Sequence, residues 1–240
     1  MESLEEVSKV VIGSGLLAKG FYKSLSTNVV FFCSGVSNSK EVAVSEFKRE
    51  RRLLIDTIDK LKDRNILIVY FSSAVSNQVH TKYTMHKRNM EKILSVKAKS
   101  YLLIKLPQVV GVTMNDTLVS FFIKEILASH RLYIQKDAER NLIDVEDVVR
   151  IVDIIIAKNI RNKAVSIGSK FNISPLQVLK FISNYFTQKN IIYELVDGGH
   201  KQKVEMTFIE GCLDSSDVIF GDKYAELVIK KYTEKNIESY

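Results

Sequence analysis

Residues 8–25 read SKVVIGSGLLAKGFYKSL: an apolar run, then Gly13-Ser14-Gly15, then an amphipathic continuation. An apolar run that ends in Gly-x-Gly-x-x-Ala and passes into a helical pattern reads as strand, tight turn and helix. Each small residue has a task in such a turn. Gly13 makes the turn, Gly15 lets backbone approach a pyrophosphate, and Ala18 lets the helix pack closely on the sheet. The helix N-terminus then faces the anion. A tight strand-to-helix turn with no ligand would look the same, and both readings stay open here. From Gly20 to Lys40 there is no Asp or Glu, and Lys23 and Lys40 are the only charges. The acid that normally holds the ribose hydroxyls about 20 residues on is therefore missing. That pattern suits a 2′-phosphate better than a free hydroxyl, or neither.

Working outward, apolar runs alternate with helical periodicity. VVIG (10–13), VVFFC (29–33), ILIVYF (66–71) and YLLIKL (101–106) read as buried parallel strands. Segments 15–27, 41–63 and 82–97 read as the helices between them. This alternation predicts an α/β fold, a truncated Rossmann-like parallel sheet with helices on both faces. After Pro107 the pattern loosens. NDTLVSFFIKEILAS and DVEDVVRIVDIIIAK read as helices and KAVSIG as a strand. ISPLQVLKFISNYF reads as a helix with Ser174 as N-cap, Pro175 at N1 and Gln177 at N3. DKYAELVIKKYTEK reads as a surface helix. Two units are expected: a nucleotide-binding core over 1–106, and a substrate lobe over 107–240 with one strand returning to the core sheet.

Apolar residues make up 46% of the 240, enough to bury a core, and no apolar run approaches 18 residues. The opening MESLEEVSK is acidic and polar, so no secretory leader is expected. Two cysteines, Cys33 and Cys212, make no disulfide framework, which fits a reducing cytoplasm. The net charge of +7 is spread through helices and interleaved with acids, as in EFKRERRLL and DKLKDRN. Such runs read as solvated faces rather than a nucleic-acid surface. Neither a nucleic-acid partner nor a membrane partner is expected, and no metal site.

A second motif follows the third strand. ILIVYFSSAVS ends in Ser72-Ser73, and ten residues after Ser73 comes Tyr83-x-x-x-Lys87. Positions i and i+4 share a helix face, which puts a phenol beside an ammonium. The ammonium is expected to stabilise phenolate and bring the Tyr83 pKa towards the range of a general acid/base. Ser73, at a strand end, can hydrogen-bond a substrate carbonyl or alkoxide. The trio suits hydride transfer at a carbon bearing oxygen. A surface Tyr and Lys four apart is the bland alternative.

With these residues in view, the chain resembles the extended short-chain dehydrogenase/reductase superfamily, in its nucleotide-sugar epimerase, dehydratase and reductase branch. VVFFCSGVSNS resembles that family's strand and small-residue loop. ILIVYFSSAVS resembles the strand carrying the catalytic Ser or Thr, and YTMHKRNMEKIL the Tyr-Lys helix with its following Glu. LIKLPQVVG resembles the strand and loop beside the nicotinamide. RNLIDVEDVV resembles a substrate-lobe element whose Arg contacts a nucleotide diphosphate. KAVSIGS followed by ISPLQVLKFI resembles the return strand and next helix. The departures are equally specific. Between the first helix and VVFFC the family has two further strands and a helix, and here Ser24 to Asn28 is all there is. The glycine turn is one residue shorter than G-x-x-G-x-x-G, and the Ser73–Tyr83 gap is short.

The resemblance implies NADP or NAD as cofactor and a nucleotide-activated sugar as substrate, in polysaccharide or deoxysugar biosynthesis. Tyr83 would be the general acid/base, Lys87 would tune it and hold the nicotinamide ribose, and Ser73 would polarise the reacting C–O group. Gly13, Ser14, Gly15, Leu16, Leu17, Ser34, Gly35, Lys87, Pro107 and Val109 would line the cofactor. Ser73, Asn115 and Arg140 would contact substrate, with a plain N-cap as the alternative for Asn115. Reduction of a keto-sugar is favoured over dehydration, because Ala74-Val75 stand where family dehydratases carry Asp-Glu. The alternative is a cofactor-free nucleotide-sugar-binding or partner subunit that kept the fold. A homodimer through the helices of 41–63 and 82–97 is expected. His80 and His86 are expected to be exposed, His130 and His200 to lie at the surface, and Asp144, Glu146 and Asp147 to open a helix.

Overall fold

The computed structural model describes residues 9–76, 79–204, 206 and 218–240. The central sheet has five parallel strands: β1 (Lys9–Ile12), β2 (Val29–Phe32), β3 (Leu67–Ser73), β4 (Tyr101–Leu106) and β8 (Lys163–Ser166). Their order is β1-β2-β3-β4-β8, with β1 at one edge. Helices α1 (Leu16–Phe21), α2 (Val44–Leu61) and α3 (Lys82–Lys97) connect the first four strands. The inner strands β2, β3 and β4 read as continuous apolar runs because both faces are covered. Phe31, Leu67, Val69, Phe71 and Ile104 pack against Phe21 of α1 and against Val148, Val152 and Ile155 of α5 (Val145–Ala157). Alternate residues Phe32, Ile68, Tyr70 and Leu103 turn to the other side, onto Leu54 and Ile58 of α2 and Met90 and Leu94 of α3. The predicted Rossmann-like sheet with helices on both faces is thus what the chain forms.

The first helix differs from expectation. It spans six residues rather than 15–27. Lys9 of β1 ends it by donating from Nζ to the carbonyls of Tyr22 (2.9 Å) and Ser24 (2.7 Å). The short connection that follows is fastened to α5, where the Asp153 carboxylate accepts from Ser24 Oγ (2.5 Å), Leu25 N (3.0 Å) and Ser26 Oγ (2.6 Å). One carboxylate thus anchors a connection whose backbone would otherwise face water.

Beyond Pro107 the chain holds strands too short for a periodicity to mark them. β5 (Gln108–Val110) runs parallel to β7 (Arg140–Asp144), which pairs antiparallel with β9 (Asn172–Ile173). β6 (Leu132–Gln135) pairs parallel with β10 (Tyr193–Val196). The remaining helices are α4 (Leu118–Leu127), α6 (Pro175–Ser183) and α7 (Tyr224–Ile237). Ser174 caps α6 as expected, in a capping box with Gln177 and with Pro175 in the first turn. Asp144 caps α5, accepting from Glu146 N at 2.8 Å, as the carboxylate cluster suggested.

The tail helix α7 is more than a surface helix. It buries Tyr224, Val228, Ile229, Tyr232 and Asn236 against α4, α6, β5 and β7. Tyr232 donates to Asp144 Oδ1 (2.7 Å) and Lys231 to Asp144 Oδ2 (2.7 Å). Asn236 holds the loop after β5, donating to Gly111 O (3.1 Å) and accepting from Thr113 N (3.0 Å). These polar groups share the buried face with Val228 and Ile229, so the hydrophobic pattern alone understated the helix's burial.

Candidate active site

Tyr83 and Lys87 reach the carboxyl end of β3 because α3 starts just beyond it. Thr81 caps α3 in a reciprocal box with Thr84. That start puts Tyr83 and Lys87 on the inward face, with Tyr83 8% and Lys87 3% exposed. Ser73 ends β3, close enough to the Tyr83 phenol to favour its ionised form. The Lys87 ammonium stands 5.9 Å from the centre of the Tyr83 ring. The three residues singled out from the sequence therefore share one place, at the strand ends where ligands of α/β sheets bind.

Their electrostatics differ from the sequence expectation. Burial, followed by the Glu50 carboxylate, pushes the Tyr83 phenol up to about 12, opposed by the Ser73 side chain. The ammonium does not bring it down, because Lys87 is committed elsewhere. Lys87 Nζ donates to Glu50 Oε1 at 3.0 Å and to the Tyr70 hydroxyl at 3.3 Å. Burial pulls Lys87 below the ordinary lysine range, and the Glu50 carboxylate works against that. Burial also opposes ionisation of Glu50 itself. Hydrogen bonds with His86, Tyr70 and the Val36 N–H, and the charge on Lys87, outweigh it and hold the carboxyl down at about 2.

His86 corrects a second expectation. It is 8% exposed, with Nε2 2.9 Å from Glu50 Oε2 and its ring stacked on Phe47 at 4.7 Å. His80 is exposed, and its Nδ1 lies 3.2 Å from Arg88 Nη2. His130 is exposed beside Glu125, and His200 is exposed as well. Glu91, one turn beyond Lys87, accepts from Ser72 (2.6 Å) and Ser76 (3.1 Å) and pairs with Lys105 (3.0 Å).

The glycine turn fits a phosphate-bearing ligand at the backbone level. Gly13 has φ +126°, and a Cβ there would lie 2.7 Å from the Cys33 carbonyl, so only glycine is accommodated. At Gly15 a Cβ would meet nothing within 4 Å, which leaves the open approach a pyrophosphate needs. Ser14 is exposed beside it, while Leu16 and Leu17 turn inward against the apolar cluster formed with α4, α6 and α7. Ser34 accepts from Arg49 Nη1 through its hydroxyl (3.1 Å) and its carbonyl (3.3 Å). Gly35 faces Lys87 Nζ, which would come within 2.7 Å of a Cβ. Pro107 is half-buried at the end of β4, and Val109 packs between the cluster under α1 and α5 and the one formed by α4, α6 and α7. Cys33, at the end of β2, is packed in the core, and burial pushes its thiol up. Cys212 lies outside the described residues.

Gln108, not singled out from the sequence, sits between Pro107 and Val109. Its side-chain Oε1 is buried without a hydrogen-bond partner among the described residues. Its signal in the sequence was its place in LPQVVG. Arg140 and Asn115 make no hydrogen bond to Ser73, Tyr83 or Lys87 among the described residues. Arg140 Nη1 donates to the carbonyls of Glu139 (3.0 Å) and His200 (2.9 Å). Asn115 is exposed in the loop before α4, and the N-cap there is Thr117 rather than Asn115.

Fold and site together define a Rossmann-like α/β protein with a Ser-Tyr-Lys cluster at the sheet's carboxyl end. Solved structures that superpose on this chain include nucleotide-sugar enzymes. The UDP-glucuronic acid 4-epimerase of Bacillus cereus, with UDP-glucuronic acid and NAD, superposes with a TM-score of 0.73 at 14% identity, over 94% of this chain and 79% of that one. The dTDP-glucose 4,6-dehydratase of Bacillus anthracis, with NAD, gives 0.71 at 14%, over 94% and 79%. The UDP-N-acetylglucosamine 4-epimerase of Methanobrevibacter ruminantium M1 gives 0.68 at 16%, over 90% and 78%. No protein-family model matches the chain, and no curated protein matches it by sequence. At these identities the likeness establishes the fold, and it is the fold of the dehydrogenase/reductase resemblance drawn from the sequence.

Proposed function

We propose that this chain is an NAD(P)-dependent enzyme acting on a nucleotide-activated sugar, and that it reduces a keto-sugar. The observation that carries the reading is the convergence of Ser73, Tyr83 and Lys87 at the end of β3, in a parallel sheet whose first strand ends in the open Gly15 turn. The bound nicotinamide would supply the hydride. Gly13, Gly15, Gly35 and Lys87 would hold that cofactor, with Gln108 as an acceptor near its reactive end or the sugar. Ser73 would donate to the sugar carbonyl and polarise it. Tyr83 would give its proton to the oxygen as negative charge develops there. A phenol pushed up to about 12 stays protonated at neutral pH, the form that reduction requires. Ala74 and Val75 bring no carboxylate after Ser73, which supports reduction over dehydration. Arg140 is proposed to meet the diphosphate only after its hold on the His200 carbonyl is exchanged for the ligand.

The test is binding of NADPH and NADH by calorimetry or nicotinamide fluorescence, followed by a keto-sugar panel. Micromolar binding and turnover of a nucleotide keto-sugar are the expected results. No binding at millimolar cofactor, with a thermal shift by nucleotide sugars, would replace this reading by the cofactor-free binding subunit. A homodimer through α2 and α3 belongs to the same reading, supported by exposed apolar side chains Val44 and Met85 on those helices. Light scattering should then give twice 27.4 kDa.

A further inference from the structure

The run EFKRERRLL reads as a solvated helix face, yet Glu50 within it is 0% exposed. A carboxylate survives burial only where partners replace its hydration. Glu50 has four, from separate parts of the chain. It accepts from Val36 N in the loop after β2 (2.7 Å), from the Tyr70 hydroxyl of β3 (2.5 Å), and from Lys87 Nζ of α3 (3.0 Å), and it lies 2.9 Å from His86 Nε2. The other carboxylate nearby, Glu91 of α3, is held by Lys105, Ser72 and Ser76. Gly35 completes the arrangement. A Cβ there would lie 2.7 Å from Lys87 Nζ and 3.0 Å from Glu50 Oε1, so its absence leaves the ammonium room beside the loop.

We infer that Glu50 is a positioning residue of this site, holding the Lys87 ammonium between Gly35 and Tyr70, where a bound nucleotide presents its ribose hydroxyls. The inference rests on the proposed role of Lys87 as the ribose ligand. It also explains why Lys87 and Tyr83 share a helix face without forming an ion-pair-like couple. Glu50 takes the ammonium, and Tyr83 is left as a buried, protonated phenol.

The groups facing Lys87 set the direction of the test. Glu50 and Arg49 come from α2, Tyr70 from β3, and Tyr83, His86 and Glu91 from α3. Arg49 and burial disfavour the ammonium, while Glu50 and the more distant Glu91 favour it. Replacing Glu50 by glutamine keeps the shape and removes the larger favourable charge.

The experiment compares wild type, Glu50→Gln and Glu50→Asp by two readouts. One is the Lys87 titration, followed by lysine-labelled NMR and assigned by its loss in Lys87→Met. The other is the Kd for NADH or NADPH, whichever wild type binds, from about pH 6 to about pH 9. In Glu50→Gln, Lys87 should lose its proton at least ~1 pH unit lower. Its cofactor affinity should fall at least ~10-fold across the range, against a flat wild-type profile. Glu50→Asp should lie between the two. An unchanged Lys87 titration in Glu50→Gln, or a uniform loss of affinity with no pH dependence, would overturn the inference. If Glu50→Gln does not fold, Glu50→Asp decides it, and a wild-type titration and pH profile there would overturn it. A wild type that binds neither cofactor refutes the functional reading, while the Lys87 titration still decides whether Glu50 positions the ammonium.

Discussion

The two flanks of the central sheet are built differently. On the β3–β4 flank, helices of 18 and 16 residues cover strands that are buried on both faces. A polar network of Glu50, Tyr70, His86 and Lys87 is sealed beneath them, with every member paired. On the β1 flank the helix is six residues long, Val10 is 40% exposed, and β1 pairs on one side with β2. A doubly wound dinucleotide fold places its two halves either side of a point where strand order reverses. Here the order runs one way from β1. The difference teaches where this chain invests its polar order: in the half that positions Tyr83 and Lys87. The other half is cut to a glycine turn and a connection held by Asp153.

The largest expected effect falls on the network. The Glu50 carboxyl is held at about 2 in the fold, against an ordinary value of 4.5. A lowered carboxylate contributes stability that is present above its unfolded value and lost as pH falls towards its folded one. Denaturation followed from pH 5 down to pH 2 should therefore lose about 3 kcal/mol that Glu50→Gln does not lose. Equal acid limbs would show that the network adds nothing to the flank. Next comes the proposed chemistry: Tyr83→Phe should cost at least ~10²-fold in turnover of the proposed keto-sugar substrate, and a smaller loss would remove Tyr83 as the proposed acid.

On the β1 flank the effects are smaller and local. Gly13→Ala forces a side chain into φ +126° and against the Cys33 carbonyl, so it should destabilise by about 2 kcal/mol in urea unfolding. Asp153→Ala should cost about 1.5 kcal/mol and raise amide exchange at residues 22–28, since three donors lose one acceptor. The comparison is sharpest in the ligand. NADH and reduced nicotinamide mononucleotide should bind within ~10-fold of each other, or about 1.4 kcal/mol, because no described strand extends beyond β1. A difference of ~10³-fold would mean that the adenosine half is gripped after all.

Legibility followed the same division. The sheet could be read because buried parallel strands are continuous apolar runs, and VVFF at β2 is buried at every position. The Tyr83-Lys87 pair could be read because i and i+4 spacing is set by the helix alone. The short strands β5, β7 and β9 could not, since two to five residues carry no period and pairing decides them. The length of α1 was misjudged because its end depends on Lys9 and Asp153, residues from other elements.

Glu50 marks the boundary between the two kinds of knowledge. The chain by itself determined the α/β order, the glycine turn, and the face shared by Tyr83 and Lys87, because each rests on backbone conformation and spacings of a few residues. Only the tertiary structure decided that one acid of a charged run is buried and that Lys87 answers to it rather than to Tyr83. Its partners Val36, Tyr70, His86 and Lys87 are 14 to 37 residues away in sequence. A charge's environment is set by what packs around it, and no local pattern carries that.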